Sequence, residues 1–101
     1  MRNMVSTEKV SKAFSDTNRI KIIRFLSGGA QNVSNVADKL NVEENLASHH
    51  LRVLSTLGYL KSNKKGREVF YRLNETKFVT LIRDLKKNSA FKEMLLKALE
   101  N

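Results

Sequence analysis

The sequence has no cysteine, no proline and no tryptophan, and it has only four glycines. Without cysteine, the chain can form no disulfide bond, thiolate metal site or cysteine nucleophile. No apolar run comes near the roughly 18 residues that a membrane-spanning helix requires. The opening residues, Met1 to Val5, also lack the apolar segment of a signal peptide. We therefore expect a soluble, cytoplasmic protein.

The charge of this chain of 101 residues is strongly unbalanced. Nineteen lysines and arginines face ten aspartates and glutamates, which leaves a net charge of +9 at pH 7. The length fits one domain, and a domain this basic usually binds a polyanion, most often nucleic acid. On charge alone, an anionic membrane surface and simple solubility stay open as explanations.

Apolar residues recur at helical spacing in four segments before Gly58. The predicted helices run from about Thr7 to Ser15, from Asp16 or Thr17 to Leu26, from Ser34 to Leu40 and from about Glu44 to Leu57. The second is apolar nearly all round and is expected to be the central buried helix. Ser34 is the expected N-cap of the third. One face of the fourth is predicted to be buried, namely Leu46, Ala47, His50, Leu51, Leu54 and Leu57.

After Gly58 the apolar period changes from helical to two residues. The stretch from Tyr59 to Leu73 predicts the two strands of a hairpin with Gly66 at its tip. Two further helices follow, with a break near Asn88 and Ser89 because their apolar stripes are out of register. The stripes consist of Phe78, Leu81, Ile82 and Leu85, and of Phe91, Met94, Leu95, Ala98 and Leu99.

This order predicts a mainly α fold with a small β-hairpin, arranged α-α-α-α-β-β-α with an extra C-terminal helix. It is the outline of a single winged helix-turn-helix domain over residues 1–101. The third and fourth helices need a small residue where they cross, which Ala37 supplies. Their turn needs a residue that tolerates a left-handed backbone, and Asn41 is suited to it.

The fourth helix carries polar side chains on its outward face: Asn45, Ser48, His49 and Arg52. These types pair with base edges or phosphates when a helix lies in the major groove of DNA. His50 falls on the apolar side and is expected to be a packed, hydrogen-bonded core residue. The hairpin tip presents Lys64, Lys65 and Arg67, which suit contacts with the DNA backbone.

Three phrases of the sequence resemble the ArsR/SmtB family of bacterial and archaeal repressors. Residues 10–20 are similar to that family's A-L-S-D-P-T-R-L opening, and residues 47–54 to its V-S-x-H-L-x-x-L recognition helix. Residues 57–60 and 65–73 are similar to its wing, G-L-V followed by G-R-x-x-Y-Y-x-L. The phrases occur in the family's order and spacing over roughly residues 10–73.

The resemblance implies a homodimer that binds operator DNA and releases it in response to an inducer. It places Asn45, Ser48, His49 and Arg52 on the base-reading surface and Arg67 at the wing tip. The first and last helices of that family form the dimer. The implied dimer contacts are Val10, Phe14, Phe78, Leu81, Ile82 and Leu85.

The sequence departs from the family at its metal sites. Many members bind metal or arsenic through a C-V-C phrase, which here reads Asn32-Val33-Ser34. A second type of site uses histidines near the C-terminus, and from Glu75 onward this chain has none. We therefore expect no metal and no other cofactor.

The start of the predicted recognition helix departs as well. Glu43 and Glu44 stand where small polar residues are usual. Acidic residues suit a helix N-terminus, and Glu44 can accept from a cytosine amino group, but carboxylates near phosphates repel them. Their effect on DNA affinity stays open at this point, as do the operator, the existence of an effector and the role of residues 90–101.

Three functions fit these patterns. A sequence-specific repressor is favoured by the polar outward helix and the basic hairpin. A protein- or RNA-binding winged-helix module should instead show an apolar outward face, and an architectural DNA-binding protein should bind all sequences equally. An enzyme is not expected, because His49 and His50 point to different faces and no phosphate-binding glycine loop is present.

Overall fold

The computed structural model describes residues 7–99, and within them it forms helices around a small antiparallel sheet. The elements are α1 Thr7–Phe14, α2 Thr17–Leu26, β1 Gln31–Asn32, α3 Val33–Leu40, α4 Glu44–Thr56, β2 Leu60–Lys65, β3 Glu68–Leu73, α5 Glu75–Lys87 and α6 Ser89–Leu99. The predicted fold class and the predicted break near Asn88 are confirmed. Residues 1–6, 100 and 101, and the side chains of the predicted stripe Phe91, Met94, Leu95, Ala98 and Leu99, lie outside the described residues.

The sheet has three strands, although the sequence predicted only the hairpin. Its order is β1-β3-β2, and Gln31 pairs with Tyr71 while Asn32 pairs with Phe70. Strands β2 and β3 pair from Leu60 with Leu73 out to Lys65 with Glu68, so Gly66 and Arg67 form a two-residue turn. Gly66 has φ +62°, a conformation that tight hairpin turns require and glycine adopts without steric cost. A strand of two residues has no periodicity of its own, which is why β1 escaped prediction.

Helix α2 packs against α1, α3, α4 and β3, and one narrow strip of it is exposed. Ile20, Ile22 and Leu26 are at most 3% exposed, whereas Lys21 and Arg24 are exposed. Asp16 caps this helix as predicted, because its carboxylate accepts from the backbone N–H of Asn18 at 2.8 Å. The prediction that α2 is the central buried helix is confirmed. The buried residues Ile20 and Ile22 lie about 200° apart around its axis, and Lys21 and Arg24 belong to an exposed strip between them.

One hydrophobic core joins α1 to the later elements. Tyr59 is fully buried. The centre of its ring lies 5.3 Å from that of Phe14 and 5.2 Å from that of Phe78. Edge and tilted contacts of this kind add to the free energy gained from burying the rings. The base of the hairpin is thereby held against both α1 and α5.

The turn between α3 and α4 has the left-handed residue that the sequence predicted. Asn41 has φ 58° and ψ 49°, and the N–H of Val42 donates to the carbonyl of Ala37 at 3.0 Å. Ala37 is 3% exposed, which agrees with a small residue at the crossing of the two helices. The third helix begins at Val33 with Asn32 as its N-cap, and not with Ser34 as predicted. Asn32 takes that position because pairing with Phe70 holds it in the extended conformation of a cap.

Replacing Asn41 tests the role of this turn. Asn41→Val should lower the free energy of unfolding by about 1–2 kcal/mol, because a β-branched residue is strained in the left-handed region. Asn41→Gly should keep most of the stability. The measurement is urea denaturation, with Asn45→Val as the control at an exposed position within a helix. Equal stability of Asn41→Val and the unchanged protein would contradict this account of the turn.

Candidate nucleic-acid interface

Helix α4 has one buried face and one polar, accessible face. Ala47, Leu51 and Leu54 are fully buried and His50 is 5% exposed. Three of the four side chains predicted to face outward, Asn45, His49 and Arg52, are exposed, and Ser48 is half-buried. Nη1 of Arg52 donates to Oγ of Ser48 at 2.8 Å, which orders the guanidinium along the helix. The structure therefore presents all four predicted side chains on one accessible surface.

Leu46 does not lie where the sequence placed it. It was predicted on the buried face, but its side chain is 43% exposed. The buried residues Ala47, His50, Leu51 and Leu54 define a face whose centre lies about a quarter turn from Leu46 at 100° per residue. The prediction was wrong because apolar character alone does not set how wide a buried face is.

The hairpin stands beside the first turns of α4. Lys64, Lys65 and Arg67 are exposed, as predicted. A cleft of about 310 Å³ separates the hairpin from α4, and Arg67 lines it together with Glu44, Asn45 and Ser48. Lys64 and Lys65, the last two residues of β2, do not line that cleft. Arg67 is thus the hairpin cation brought closest to the polar residues of α4.

Asn32 ties the hairpin to the helix pair through one amide group. Its side-chain oxygen accepts from the N–H of Asn35 at 2.8 Å and caps α3. Its side-chain nitrogen donates to a carboxylate oxygen of Glu68 at 2.6 Å. Glu68 is the first residue of β3 and adjoins the turn. This bond links the hairpin tip to the start of α3, in addition to the pairing of β1 with β3.

A second cleft borders α4 on the side of α1. It measures about 310 Å³ and is lined by Lys12, His49, Arg52, Val53, Thr56 and Leu57. Lys12 is exposed and lies in the last turn of α1. Sequence reasoning missed it, because only the packing of α1 beside α4 brings this lysine next to the polar face. Cations therefore border α4 on both sides, Lys12 on one and Arg67 on the other.

His50 joins α4 to the first two helices, as a packed core histidine should. Its Nδ1 accepts from Nε of Arg19 at 3.3 Å, and its Nε2 lies 4.0 Å from a carboxylate oxygen of Asp16. Arg19 also donates to the backbone carbonyl of Lys12 at 2.5 Å. Burial lowers the pKa of His50 below its ordinary 6.5; Asp16 opposes this effect, while Arg19 and His49 add to it. The lowered pKa favours the neutral imidazole, which is also the form whose Nδ1 can accept the hydrogen bond from Arg19.

The six residues implied as dimer contacts fall into two groups. Val10, Phe14 and Leu81 are at most 5% exposed and belong to the core of the protomer itself. Phe78 and Leu85 are half-buried against that core, and Ile82 is 54% exposed. Val79 and Leu96 are similarly exposed, at 52% and 51%. Among the described side chains, three of the four large apolar residues that are exposed lie on the last two helices, Val79 and Ile82 on α5 and Leu96 on α6.

Acidic and histidine side chains are dispersed over the described part of the chain. Within residues 7–99, no group of three or more histidines, aspartates or glutamates is arranged to hold a metal ion. Asn32, which opens the phrase that corresponds to C-V-C, is engaged as the helix cap. None of the helices between residues 7 and 99 is long and apolar enough to cross a membrane.

A polar helix face bordered by a basic hairpin is the architecture of a winged helix-turn-helix DNA-binding protein. Residues 16–62 match the family described as "Bacterial regulatory protein, arsR family". The transcriptional repressor SdpR of Bacillus subtilis is 36% identical over 67 residues, which are 66% of this chain and 74% of SdpR. The chain therefore belongs to the arsR family. A cadmium resistance transcriptional regulatory protein, the CadC homolog of Staphylococcus aureus, is 41% identical over 75 residues, 73% of this chain and 62% of that protein.

Solved structures show the same fold. An ArsR-like transcriptional regulator from Rhodococcus sp. RHA1 is 30% identical with a TM-score of 0.73, covering 92% of this chain and 85% of that one. A domain from Mycobacterium bovis, described as a homodimeric winged helix-turn-helix DNA-binding domain, is 21% identical with a TM-score of 0.66. The match covers 79% of this chain and 76% of the chain from Mycobacterium bovis. The predicted family and fold are thereby confirmed.

The Asn32–Glu68 bond can be tested apart from the cap. Asn32→Ser keeps an oxygen that caps α3 but loses the donor to Glu68, so DNA affinity should fall while the helix content stays unchanged. Glu68→Gln keeps an acceptor for Asn32 and should preserve affinity. Circular dichroism and binding to a promoter duplex measure the two effects. Equal affinities of Asn32→Ser and the unchanged protein would show that the bond does not position the hairpin.

The lowered pKa of His50 predicts how stability varies with pH. Between the pKa of the folded state and 6.5, the unfolded chain binds more protons than the folded protein, so stability rises with pH. The contribution is complete above about pH 6.5 and is lost as pH falls toward the folded pKa. Urea denaturation at pH 7.5 and 5.5 should show this loss, and His50→Gln should reduce it. Asn45→Gln, at an exposed position of the same helix, is the control and should leave the pH dependence unchanged.

Proposed function

We propose that this protein is a homodimeric transcriptional repressor that binds duplex DNA in a sequence-specific manner. The observation that carries the proposal is the exposed polar face of α4, with Asn45, His49 and Arg52 opposite a fully packed apolar face. A helix held in this way can enter a major groove without disturbing the core. The net charge of +9 supplies the attraction to the phosphate backbone.

The contacts divide into base reading and backbone positioning. Asn45 can pair with adenine through its amide, and Arg52 can form two hydrogen bonds with guanine. Ser48 holds the Arg52 side chain by its hydrogen bond. The cations at the hairpin tip suit the phosphates on one side of the groove, and Lys12 suits those on the other.

The homodimer is proposed to form through the exposed apolar residues Val79, Ile82 and Leu96. An apolar patch left in water is unfavourable, and a second copy would cover it. Val10, Phe14 and Leu81 would support this interface from the protomer core. In such a dimer the two α4 helices would read half-sites about 34–36 Å apart.

Control of the repressor is proposed not to use metal. The sequence has no cysteine, and Asn32 is engaged in the cap and the bond to Glu68. Carboxylates without thiolate or imidazole partners are poor ligands for ions such as zinc. We also propose that the protein acts in the cytoplasm, where it would meet DNA. Residues 1–101 are proposed to form a single domain.

Binding to the protein's own promoter tests this proposal. The purified protein should prefer a promoter fragment over a scrambled duplex, bind more weakly at higher salt, and keep its DNA when zinc or cadmium is added. Fluorescence anisotropy at two salt concentrations measures all three. Equal affinity for both duplexes would indicate an architectural protein. Absence of DNA binding would favour a protein- or RNA-binding module, and release by metal would contradict control without metal.

The proposed role of Lys12 has its own signature. Lys12→Gln should reduce the slope of log affinity against log salt by about 0.9 for each phosphate contact, hence about 1.8 for a dimer. The ratio of promoter to scrambled affinity should stay constant, because a phosphate contact carries no sequence information. Lys86→Gln, in the exposed last turn of α5, is the matched control. An unchanged slope for Lys12→Gln would place this lysine outside the interface.

A further inference from the structure

The polar face of α4 has an apolar residue at its edge. Leu46 is 43% exposed, although its neighbour Ala47 is completely buried. It lies in the first turn of the helix, the part that enters deepest when a helix-turn-helix binds DNA. The side chain is therefore exposed at the place where a base edge would be read.

Leu46 lies on the opposite edge of this face from the wing. His49 and Val53, three and seven residues further along, are on its side of the helix and line the cleft toward α1. Asn45 and Ser48 line the cleft toward the hairpin instead. Leu46 and Asn45 are consecutive in sequence but would reach different bases.

We propose that Leu46 contacts the methyl group of a thymine and so determines part of the operator sequence. This inference rests on the proposed function, since it requires α4 to lie in the major groove. The thymine methyl is the one apolar group that the four standard bases present there. A leucine against any other edge would separate donors or acceptors from water without replacing their hydrogen bonds. The contact would thus favour thymine and disfavour the other bases.

Deoxyuridine provides the test, because it differs from thymidine only in lacking this methyl group. In the promoter duplex that the protein binds, each thymine is replaced singly by uracil and the affinity is measured. At one position in each half-site, uracil should weaken binding by the unchanged protein about fourfold, as expected for one buried methyl group. Replacing both half-site positions should weaken it roughly fifteenfold.

Leu46→Ala should bind thymine and uracil duplexes equally at that position, and Leu46→Met should retain most of the discrimination. Because Leu46 is exposed, neither variant should alter the circular dichroism spectrum. Lys21→Ala, at an exposed position of α2 that has no part in the proposed interfaces, is the control and should keep the full uracil effect.

Two results would overturn the inference while leaving the proposed function intact. One is that no single uracil weakens binding by the unchanged protein. The other is that Leu46→Ala shows the same uracil effect as the unchanged protein. Failure to prefer the unsubstituted promoter over a scrambled duplex would instead overturn the proposed function, and the role of Leu46 with it.

Discussion

The burial of one face of α4 is the constraint on which the rest of the structure depends. Ala47, Leu51 and Leu54 are completely removed from water, and exposing a single buried leucine costs about 1.5–3 kcal/mol. A rotation of the helix by one residue would turn this face by about 100°, so the core fixes how α4 is rotated about its axis. The orientation of Asn45 and Arg52 toward solvent follows from that packing rather than from any interaction of their own.

Two side-chain hydrogen bonds add to the apolar core in joining the hairpin and α4 to the neighbouring helices. The Asn32 side chain links the hairpin to α3 through Glu68, and Arg19 holds α4 through His50. Apolar contacts are not directional, whereas hydrogen bonds require a defined distance and angle. These contacts join the hairpin and α4 to the neighbouring helices, and holding a binding surface in place before it binds lowers the entropic cost of binding.

Sequence reasoning predicted the features that depend on local periodicity and local backbone geometry. The helix order, the hairpin with Gly66 at its tip and the left-handed Asn41 are of this kind. The features it missed depend on residues far apart in sequence. Strand β1 exists only because β3 pairs with it, Asn32 replaces Ser34 as the cap for the same reason, and Lys12 reaches α4 through the packing of α1. Exposure of Leu46 likewise depends on how far neighbouring elements extend over the helix.

The absence of cysteine allows the central claim, that α4 faces DNA while the outer face of α5 meets a second copy, to be tested directly. Two variants, Asn45→Cys and Val79→Cys, would each carry one thiol, and a thiol-linked photo-cross-linker would attach only there. In the complex with the promoter duplex, the account predicts that the Asn45→Cys probe cross-links to DNA bases and the Val79→Cys probe to the other protomer. Attachment of the Val79→Cys probe to DNA, with none from Asn45→Cys, would contradict it.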